Sequence, residues 1–334
     1  MKKITMLLSV AMVCVALLMS AGCGSQDKQK HVALVFSHQP DRWIQGANMM
    51  KENLEKDGIL VDLLVFDTGE SQTECLQKAV DANPGCIVLA GGGYKNMAQP
   101  LAQAKEKNIP IIDYDSLTAD TDAITYFVTF DNYGVGEAMG RYIVRKMNLQ
   151  GGAGPFNIEF FSGSDTDTNA KLMYQGAFDQ LKPYLDNGQL KVASGQVDYS
   201  STVTRNWDAA NAKTRAEEIV KQYYQDKNLD IVVAACDSIA YGVIDGLGSY
   251  QGGWPLITGQ DADAKALDYV RQGKMAFSLQ KDNVILNQKC IRMIKAVLEG
   301  GSPEINDVKT YNNGVITVPT YLCIPRIIDS SNLQ

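Results

Sequence analysis

Ile231-Val-Val-Ala-Ala-Cys-Asp-Ser-Ile-Ala-Tyr-Gly-Val-Ile244 is a short apolar run that ends at Asp237 and passes directly into a helical pattern. The same unit of strand and helix recurs along the chain. Besides 231–235, apolar runs predict strands at Val32–Phe36, Val61–Phe66, Cys86–Ala90, Ile109–Tyr114, Ile124–Phe130, Phe156–Phe161, Leu190–Val197, Leu256–Thr258 and Met275–Leu279. Near-continuous apolar strands linked by helices are typical of parallel sheets that helices cover on both faces. The sequence therefore predicts an α/β protein with two doubly wound lobes.

One predicted helix also has an explicit start signal. Ser71-Gln-Thr-Glu74 has the spacing of a capping box, and Leu76, Ala79 and Val80 then recur at helical spacing. This pattern predicts a helix capped by Ser71.

The composition excludes several classes of protein. The chain has 334 residues, of which 45% are hydrophobic and 21% are charged, so it is an ordered globular protein. The formal net charge of −7 argues against non-specific nucleic-acid binding, which requires a positively charged face. With two histidines in the chain, a His-rich metal site is not expected. No set of nucleophile, base and orienting residue is evident, so the chain is predicted not to be an enzyme and to need no cofactor.

The N-terminus predicts secretion and lipidation. Lys2 and Lys3 precede an apolar run from Ile4 to Met19, and Ser20-Ala-Gly-Cys23 follows. This is the pattern of a signal peptide over residues 1–22. The junction resembles a bacterial lipobox, which would make Cys23 the lipidated first residue and 23–30 a polar tether. A diacylated cysteine would hold the protein at the outer face of the cytoplasmic membrane. A plain signal peptide with a chance cysteine is the alternative.

Loss of Cys14 with the signal peptide and lipidation of Cys23 would leave five thiols, at positions 75, 86, 236, 290 and 323. Their number is odd and their spacing is irregular, which argues against a disulfide framework. We expect most of them to be buried thiols, and a single Cys75–Cys86 bridge stays open.

Polar and aromatic residues follow several predicted strands, and ligands of open α/β sheets bind beyond the carboxyl ends of the strands. Aspartate and amide side chains match pairs of vicinal hydroxyl groups, and tryptophan rings match the C–H face of a pyranose. Such a mixture predicts a neutral, polyhydroxylated ligand. The alternative for any single aspartate at a strand end is that it caps a helix.

Two other motifs resemble a phosphate-binding site and a metal site but lack residues that such sites require. Gly91-Gly-Gly-Tyr-Lys95 follows a strand but lacks the spacing of a phosphate loop. The segment that begins at Asp165 opens like an EF-hand but has Ala170 and Gly176 where glycine and glutamate are needed, so no calcium site is predicted.

Four segments carry a resemblance to a known family. They are Gly154-Pro-Phe-Asn-Ile-Glu-Phe-Phe-Ser-Gly-Ser164, Val128-Thr-Phe-Asp-Asn132, Thr258-Gly-Gln-Asp-Ala262 and Lys309-Thr-Tyr-Asn-Asn-Gly-Val-Ile-Thr-Val-Pro-Thr-Tyr321. These segments resemble the multiple-monosaccharide-binding proteins of bacterial ABC importers, within the larger class of ribose-, galactose- and xylose-binding periplasmic proteins. The similarity extends from about residue 31 to residue 326.

The resemblance implies the type I periplasmic binding protein fold, with two lobes joined by three crossing segments near 130, 282 and 313. The first lobe would comprise 31–130 plus 283–313, and the second 131–282 plus 314–334. The implied ligand-binding residues are Arg42, Trp43, Asp115, Asn169, Trp207, Asp237, Asp261 and Lys281. Two positions depart from the family pattern, because Ser116 and Asn206 stand where relatives carry arginine.

The function implied by the resemblance is that of a monomeric receptor that traps a monosaccharide, of the glucose, galactose, xylose or arabinose type, and delivers it to ABC permease subunits. Closure of the two lobes would be the mechanism. The alternative output is sensing, in which the closed form is presented to a membrane histidine kinase or a chemoreceptor. An extracellular glycosidase is the least favoured alternative, since it requires a pair of carboxylates at a defined separation.

Overall fold

The structure is a computed structural model that describes residues 30–38, 41–91 and 96–333. The predicted signal peptide, Cys23 and the tether up to residue 29 lie outside the described residues. No helix in the described part of the chain is long and apolar enough to cross a membrane.

The described residues form twelve strands and ten α-helices. The strands are β1 His31–Ser37, β2 Leu60–Phe66, β3 Cys86–Ala90, β4 Ile111–Tyr114, β5 Ile124–Phe130, β6 Phe156–Phe161, β7 Leu190–Lys191, β8 Ile231–Ala234, β9 Leu256–Ile257, β10 Phe277–Gln280, β11 Thr320–Cys323 and β12 Arg326–Asp329. The helices are α1 Asp41–Lys56, α2 Gly69–Ala82, α3 Ala98–Glu106, α4 Asn132–Lys146, α5 Thr168–Asp186, α6 Tyr199–Thr202, α7 Ala209–Tyr223, α8 Asp237–Gly246, α9 Ala264–Arg271 and α10 Asn283–Leu298.

The first lobe is built on a six-stranded parallel sheet in the order β11-β5-β4-β3-β1-β2. On one face of the sheet α1 and α10 bury residues such as Met50 and Ile294, and on the other face α2 and α3 bury residues such as Leu76 and Leu101. Because both faces are covered, β3 is apolar throughout, and β4 is apolar except for the buried Asp113.

The second lobe contains the parallel sheet β7-β6-β8-β9 and the antiparallel pair β10-β12. A parallel bridge between Gln260 and Leu279 joins β9 to β10. Helices α4 and α5 cover one face with residues such as Met139 and Met173, and α7 and α8 cover the other with residues such as Ile219 and Val243. The predicted architecture of two doubly wound lobes is confirmed.

The chain passes between the lobes at three places: after β5, between β10 and α10, and between β11 and β12. The third crossing lies later than the predicted position near 313, because residues 320–323 pair with β5 in the first lobe. Strand β12 belongs to the second lobe, where it pairs with β10. Strands β11 and β12 have only four residues each, and β11 follows a long segment without helices or strands, so no periodic pattern marks them.

Two local predictions are wrong for identifiable reasons. Strand β7 ends at Lys191 rather than at Val197, because Gly195 turns the chain with φ of 69° and the Ser194 amide and hydroxyl donate to Glu159 instead of to a neighbouring strand. The cap of α2 is Thr68, not Ser71, since Ser71 occupies the third helical position and its hydroxyl accepts from the Thr68 amide. The capping box exists, but it begins one helical turn earlier.

All five described cysteines are buried free thiols, so no bridge joins Cys75 to Cys86.

Candidate functional site

A cleft of about 630 Å³ lies between the two lobes, at the carboxyl ends of the strands. All eight predicted ligand-binding residues line this cleft: Arg42, Trp43, Asp115, Asn169, Trp207, Asp237, Asp261 and Lys281. Arg42, Trp43 and Asp115 belong to the first lobe, and the next four belong to the second. Lys281 lies on the second crossing segment, between β10 and α10.

The first-lobe part of the cleft is organised around the Asp115 carboxylate, which follows β4. Oδ2 of Asp115 lies 2.7 Å from Nη2 of Arg42 and accepts a hydrogen bond of 2.8 Å from Nε1 of Trp43. Burial would raise the pKa of Asp115, but Arg42 and Lys281 outweigh it and hold the pKa below its usual value. Burial likewise lowers the pKa of Arg42, but Asp115 and Asp261 outweigh it and raise the pKa. Both groups are therefore charged, and Trp43 is fixed beside them.

The backbone of Asp115 also reaches the second lobe. Asp115 has a left-handed φ of 64°, and its carbonyl oxygen accepts from Oγ1 of Thr129 at 3.1 Å and from Nδ2 of Asn169 at 2.7 Å. Asn169 lies in the first turn of α5, so its bond to Asp115 directly spans the cleft. The lobes are thus in contact at the site itself.

The second-lobe part of the cleft contains Asp237 and Asp261. Asp237 begins α8, and its carboxyl group accepts from the Ser278 hydroxyl at 2.7 Å and from the Asp263 amide at 3.2 Å. Burial, reinforced by the charge of Asp261, raises the pKa of Asp237 well above its usual value. The surroundings of Asp237 thus favour the protonated form of its carboxyl group, whereas those of Asp115 favour the ionised form.

Trp207 forms an aromatic wall of the cleft. Its ring lies so close to Gly163 that a Cβ at this glycine would collide with the ring. The Ser238 hydroxyl donates to the Trp207 carbonyl at 2.9 Å, which ties the tryptophan to α8. Trp207 and Asn206 both have left-handed φ values, of 57° and 56°. This strained turn presents the ring to the cleft.

Lys281 connects the cleft to the crossing segments. Its ammonium group donates to Oδ1 of Asn132 at 2.8 Å, and lies 5.7 Å from the centre of the Phe130 ring. Burial lowers the pKa of Lys281, while Asp115 and Asp261 partly oppose the shift. Asn132 was not predicted as a ligand-binding residue, although it ends one of the four segments that carry the family resemblance.

Three polar atoms of cleft residues have no partner. They are Nη1 of Arg42, Oδ1 of Asn169 and Oε1 of Gln260, and they account for half of the six such buried atoms found among the described side chains. A buried polar atom without a partner costs free energy. This cost is therefore borne by side chains that line the cleft.

Several other aspartates at strand ends are helix caps, which was the alternative interpretation. Asp131, Asp167, Asp208, Asp263 and Asp282 cap α4, α5, α7, α9 and α10 through their side chains. Asp167 and Asp263 also line the cleft. The capping alternative thus holds for these five residues but not for Asp115, Asp237 and Asp261, whose side chains cap no helix.

The sequence did not single out some lining residues as ligand contacts, notably Ser37, Ser164, Thr166, Met173 and Gln260. Small hydroxyl side chains and a methionine are too common in loops and helices to be recognised. Gln260 had a usable signal, because it directly precedes Asp261 at a strand end. Ser116 and Asn206, the two departures from the family pattern, both line the cleft. No group of three or more metal-ligating side chains occurs in the described ranges.

The comparisons with known proteins agree with this geometry. Residues 32–302 match the family of the periplasmic binding protein domain. The chain belongs to this family. The match confirms the predicted type I periplasmic binding protein fold and the predicted resemblance.

The relatives of this periplasmic binding protein are similar over most of their length. The multiple sugar-binding periplasmic protein SbpA of Azospirillum brasilense is 35% identical over 314 residues, which cover 92% of this chain and 88% of SbpA. The multiple sugar-binding periplasmic receptor ChvE of Rhizobium radiobacter is 34% identical over 299 residues, with 88% and 84% covered.

A solved structure is also similar. The ABC transporter solute binding protein from Clostridium phytofermentans with bound β-D-glucose has 37% identity and a TM-score of 0.84, and the match covers 90% of this chain and 94% of that chain. Like these relatives, the present periplasmic binding protein is a binding protein and not an enzyme.

Proposed function

We propose that this chain is a lipid-anchored extracytoplasmic receptor that binds a monosaccharide between its lobes and delivers it to the permease of an ABC importer. The observation that carries the proposal is the cleft, in which charged, amide and tryptophan side chains from both lobes converge. Two relatives are named as sugar-binding and a third holds β-D-glucose, which supports a pyranose as the ligand.

The protonation states suit a ring of neutral hydroxyl groups. Charged neighbours favour the ionised form of Asp115, which accepts hydrogen bonds, whereas burial favours the protonated form of Asp237, which is able to donate one. The guanidinium group of Arg42 lines the cleft, and hydrogen bonds from a charged donor are strong. Each hydroxyl group both donates and accepts, so a cleft with both kinds of partner fits a sugar. Trp43 and Trp207 provide faces for its C–H surface.

Lobe closure supplies the signal for delivery. Each lobe contributes only part of the site, so a ligand that contacts both lobes binds the closed form better and shifts the population towards it. The bond from Asn169 to the Asp115 carbonyl forms only when the lobes approach, which favours the same closed form. The permease then binds the closed receptor.

Isothermal titration against D-glucose, D-galactose, D-xylose and L-arabinose tests the proposal. We expect at least one sugar to bind with a stoichiometry of one, and to be recovered unchanged after long incubation. If none of the four sugars gives heat, the assignment of a monosaccharide ligand is wrong.

The lipid anchor needs a separate test, since it depends on Cys23 and not on the cleft. We expect Cys23→Ser to leave the precursor uncleaved or to release the protein into the medium. Membrane fractionation with a hydrophobic label for the acyl chains measures this. Unchanged membrane retention and labelling of Cys23→Ser would contradict lipidation.

A further inference from the structure

Asn132 lies outside the cleft but bonds to a residue that lines it. Its side chain is fully buried, and its Oδ1 accepts a hydrogen bond of 2.8 Å from Nζ of Lys281. Lys281 is itself 7% exposed and faces the cleft. A buried ammonium group needs several acceptors, and Asn132 supplies one of them from behind the site.

The orientation of the Asn132 amide is fixed by bonds on its other side. Nδ2 of Asn132 donates to the Phe130 carbonyl at 3.0 Å and lies 3.3 Å from the Tyr311 hydroxyl. Tyr311 is buried in the first lobe, and its hydroxyl donates to the same Phe130 carbonyl at 3.2 Å. Because the NH₂ group is held there, the amide oxygen points to Lys281.

These residues lie where the chain passes between the lobes. Asn132 follows the first crossing, directly after β5, and Lys281 lies on the second crossing, directly after β10. Their bond therefore joins two of the three crossing segments. Any hinge motion that separates these segments moves the ammonium group away from its acceptor.

The charged groups that face Lys281 come from several elements. Asp115 after β4, Asp261 after β9 and Asp167 before α5 attract its charge, and Arg42 on α1 repels it. Burial has the largest effect and lowers the pKa of Lys281. Loss of the Asn132 oxygen as an acceptor would lower the pKa of Lys281 further.

We propose that Asn132 is a positioning residue for ligand binding: it holds the Lys281 ammonium group charged and aimed into the cleft, and couples that group to the crossing segments. The inference rests on the proposed function, because Lys281 is taken to donate to the sugar. It adds a residue that does not touch the ligand and that acts through Lys281.

The test measures affinity as a function of pH. The wild-type chain, Asn132→Ala and Asn132→Asp are titrated from pH 6 to pH 10 with whichever of D-glucose, D-galactose, D-xylose and L-arabinose binds the wild type most tightly. We expect Asn132→Ala to bind about tenfold more weakly, because the Lys281 ammonium group is no longer held in place for the bond that it donates to the sugar. Its affinity should also begin to fall at a lower pH than that of the wild type. Asn132→Asp adds a negative acceptor, so its decline should begin at a higher pH.

Asn287→Ala is the matched control. Asn287 is also a buried asparagine, but its Oδ1 accepts from the Tyr114 hydroxyl at 2.6 Å and its side chain does not line the cleft. Asn287→Ala should have a lower free energy of unfolding, but its sugar affinity should depend on pH as that of the wild type does. If Asn132→Ala does not fold, the upward shift expected of Asn132→Asp still tests the inference.

The outcomes separate the two claims. If the wild type binds a sugar but the pH profiles of the Asn132 variants coincide with its own, the inference is wrong and the proposed function stands. If the wild type binds none of the sugars, the proposed function fails first.

Discussion

Asp115 is the residue on which most contacts of the cleft depend. Its carboxylate holds Arg42 and Trp43, and its carbonyl holds Thr129 and Asn169. The left-handed φ of 64° allows the carboxylate and the carbonyl group of Asp115 to make these contacts at the same time. Aspartate tolerates this conformation better than most residues, which is one reason for this residue type at the end of β4.

Substitution of Asp115 by alanine should weaken sugar binding by more than tenfold, because it removes a charged acceptor and leaves the Arg42 guanidinium uncompensated in a buried place. Isothermal titration measures the change. Thr68→Ala is the control, since loss of the α2 cap costs about 1 kcal/mol of stability far from the cleft. Equal affinities of Asp115→Ala and the control would contradict the assigned role.

Asp113 gives a second prediction at this scale. It is fully buried in β4, and burial raises its pKa to about 7, although the amide and hydroxyl of Thr118 donate to it at 2.6 and 3.1 Å. The folded chain therefore holds this proton more tightly than the unfolded chain does. The contribution of Asp113 to stability is full at acid pH and is lost as the pH rises through about 7.

Asp113→Asn should remove this dependence, because the amide is neutral and its oxygen can still accept from Thr118. Urea unfolding at several pH values between 4 and 8 measures the effect. The wild type should lose free energy of unfolding relative to the variant as the pH rises. Parallel curves for the two proteins would show that Asp113 does not titrate in this range.

The sequence could predict which residue types line the cleft, but not which aspartate is a buried acid and which one caps a helix. Asp237 and Asp263 both follow strands, yet one is a buried acid and the other caps α9. The difference lies in burial and in the nearby charge of Asp261, which together raise the pKa of Asp237. The hydroxyl that donates to its carboxyl group comes from Ser278 on β10, 41 residues away in the chain. Single-chain patterns do not contain such a contact.

At the scale of elements, α4 and α5 hold the site through their close packing. A Cβ at Gly136 of α4 would collide with the Met173 carbonyl of α5, and a Cβ at Gly176 of α5 would collide with the Tyr133 carbonyl of α4. The two glycines therefore let the helix backbones touch. Since Asn132 begins α4 and Asn169 lies in the first turn of α5, this packing sets the positions of both side chains.

Gly136→Ala should reduce the free energy of unfolding by about 1–3 kcal/mol, as overpacking does, and should also weaken sugar binding because the two helices must separate. Denaturant unfolding and titration measure the two effects. Gly248→Ala is the matched control, since that glycine is exposed and a Cβ there meets no atom within 4 Å. If Gly136→Ala changes neither the free energy of unfolding nor the sugar affinity, helices α4 and α5 can move apart at no cost in free energy.

Elements with a strong local pattern could be predicted well, and those defined by distant pairing could not. Strands β3, β5 and β6 begin and end where their apolar runs do. Strands β11 and β12 are partly exposed and exist because they pair with β5 and β10. Their pairing partners are about 190 and 50 residues earlier in the chain, so they follow from topology and not from composition.

At the scale of the whole molecule, the cleft has an excess of acidic groups. Five carboxyl groups line it together with two cationic side chains; they are Asp115, Asp167, Asp237, Asp261 and Asp263, with Arg42 and Lys281. Burial raises the pKa of Asp167 and Asp237. Even with both of these protonated, three carboxylates face two cations, and the net charge of the chain is −7. Ser116 and Asn206, which stand where relatives carry arginine, add no positive charge to the cleft.

The cleft should therefore reject sugar acids. D-glucuronate should bind at least tenfold more weakly than D-glucuronamide at neutral pH, because like charges brought together in a desolvated cleft cost free energy. The amide has nearly the same shape as the acid, so it controls for the size of the substituent at C6. Competition against the bound panel sugar measures both affinities, and Asp261→Asn should narrow the difference between them. If D-glucuronate and D-glucuronamide compete equally well, the charge of the cleft does not select the ligand. If neither compound competes although D-glucose binds, the cleft excludes the C6 substituent because of its size.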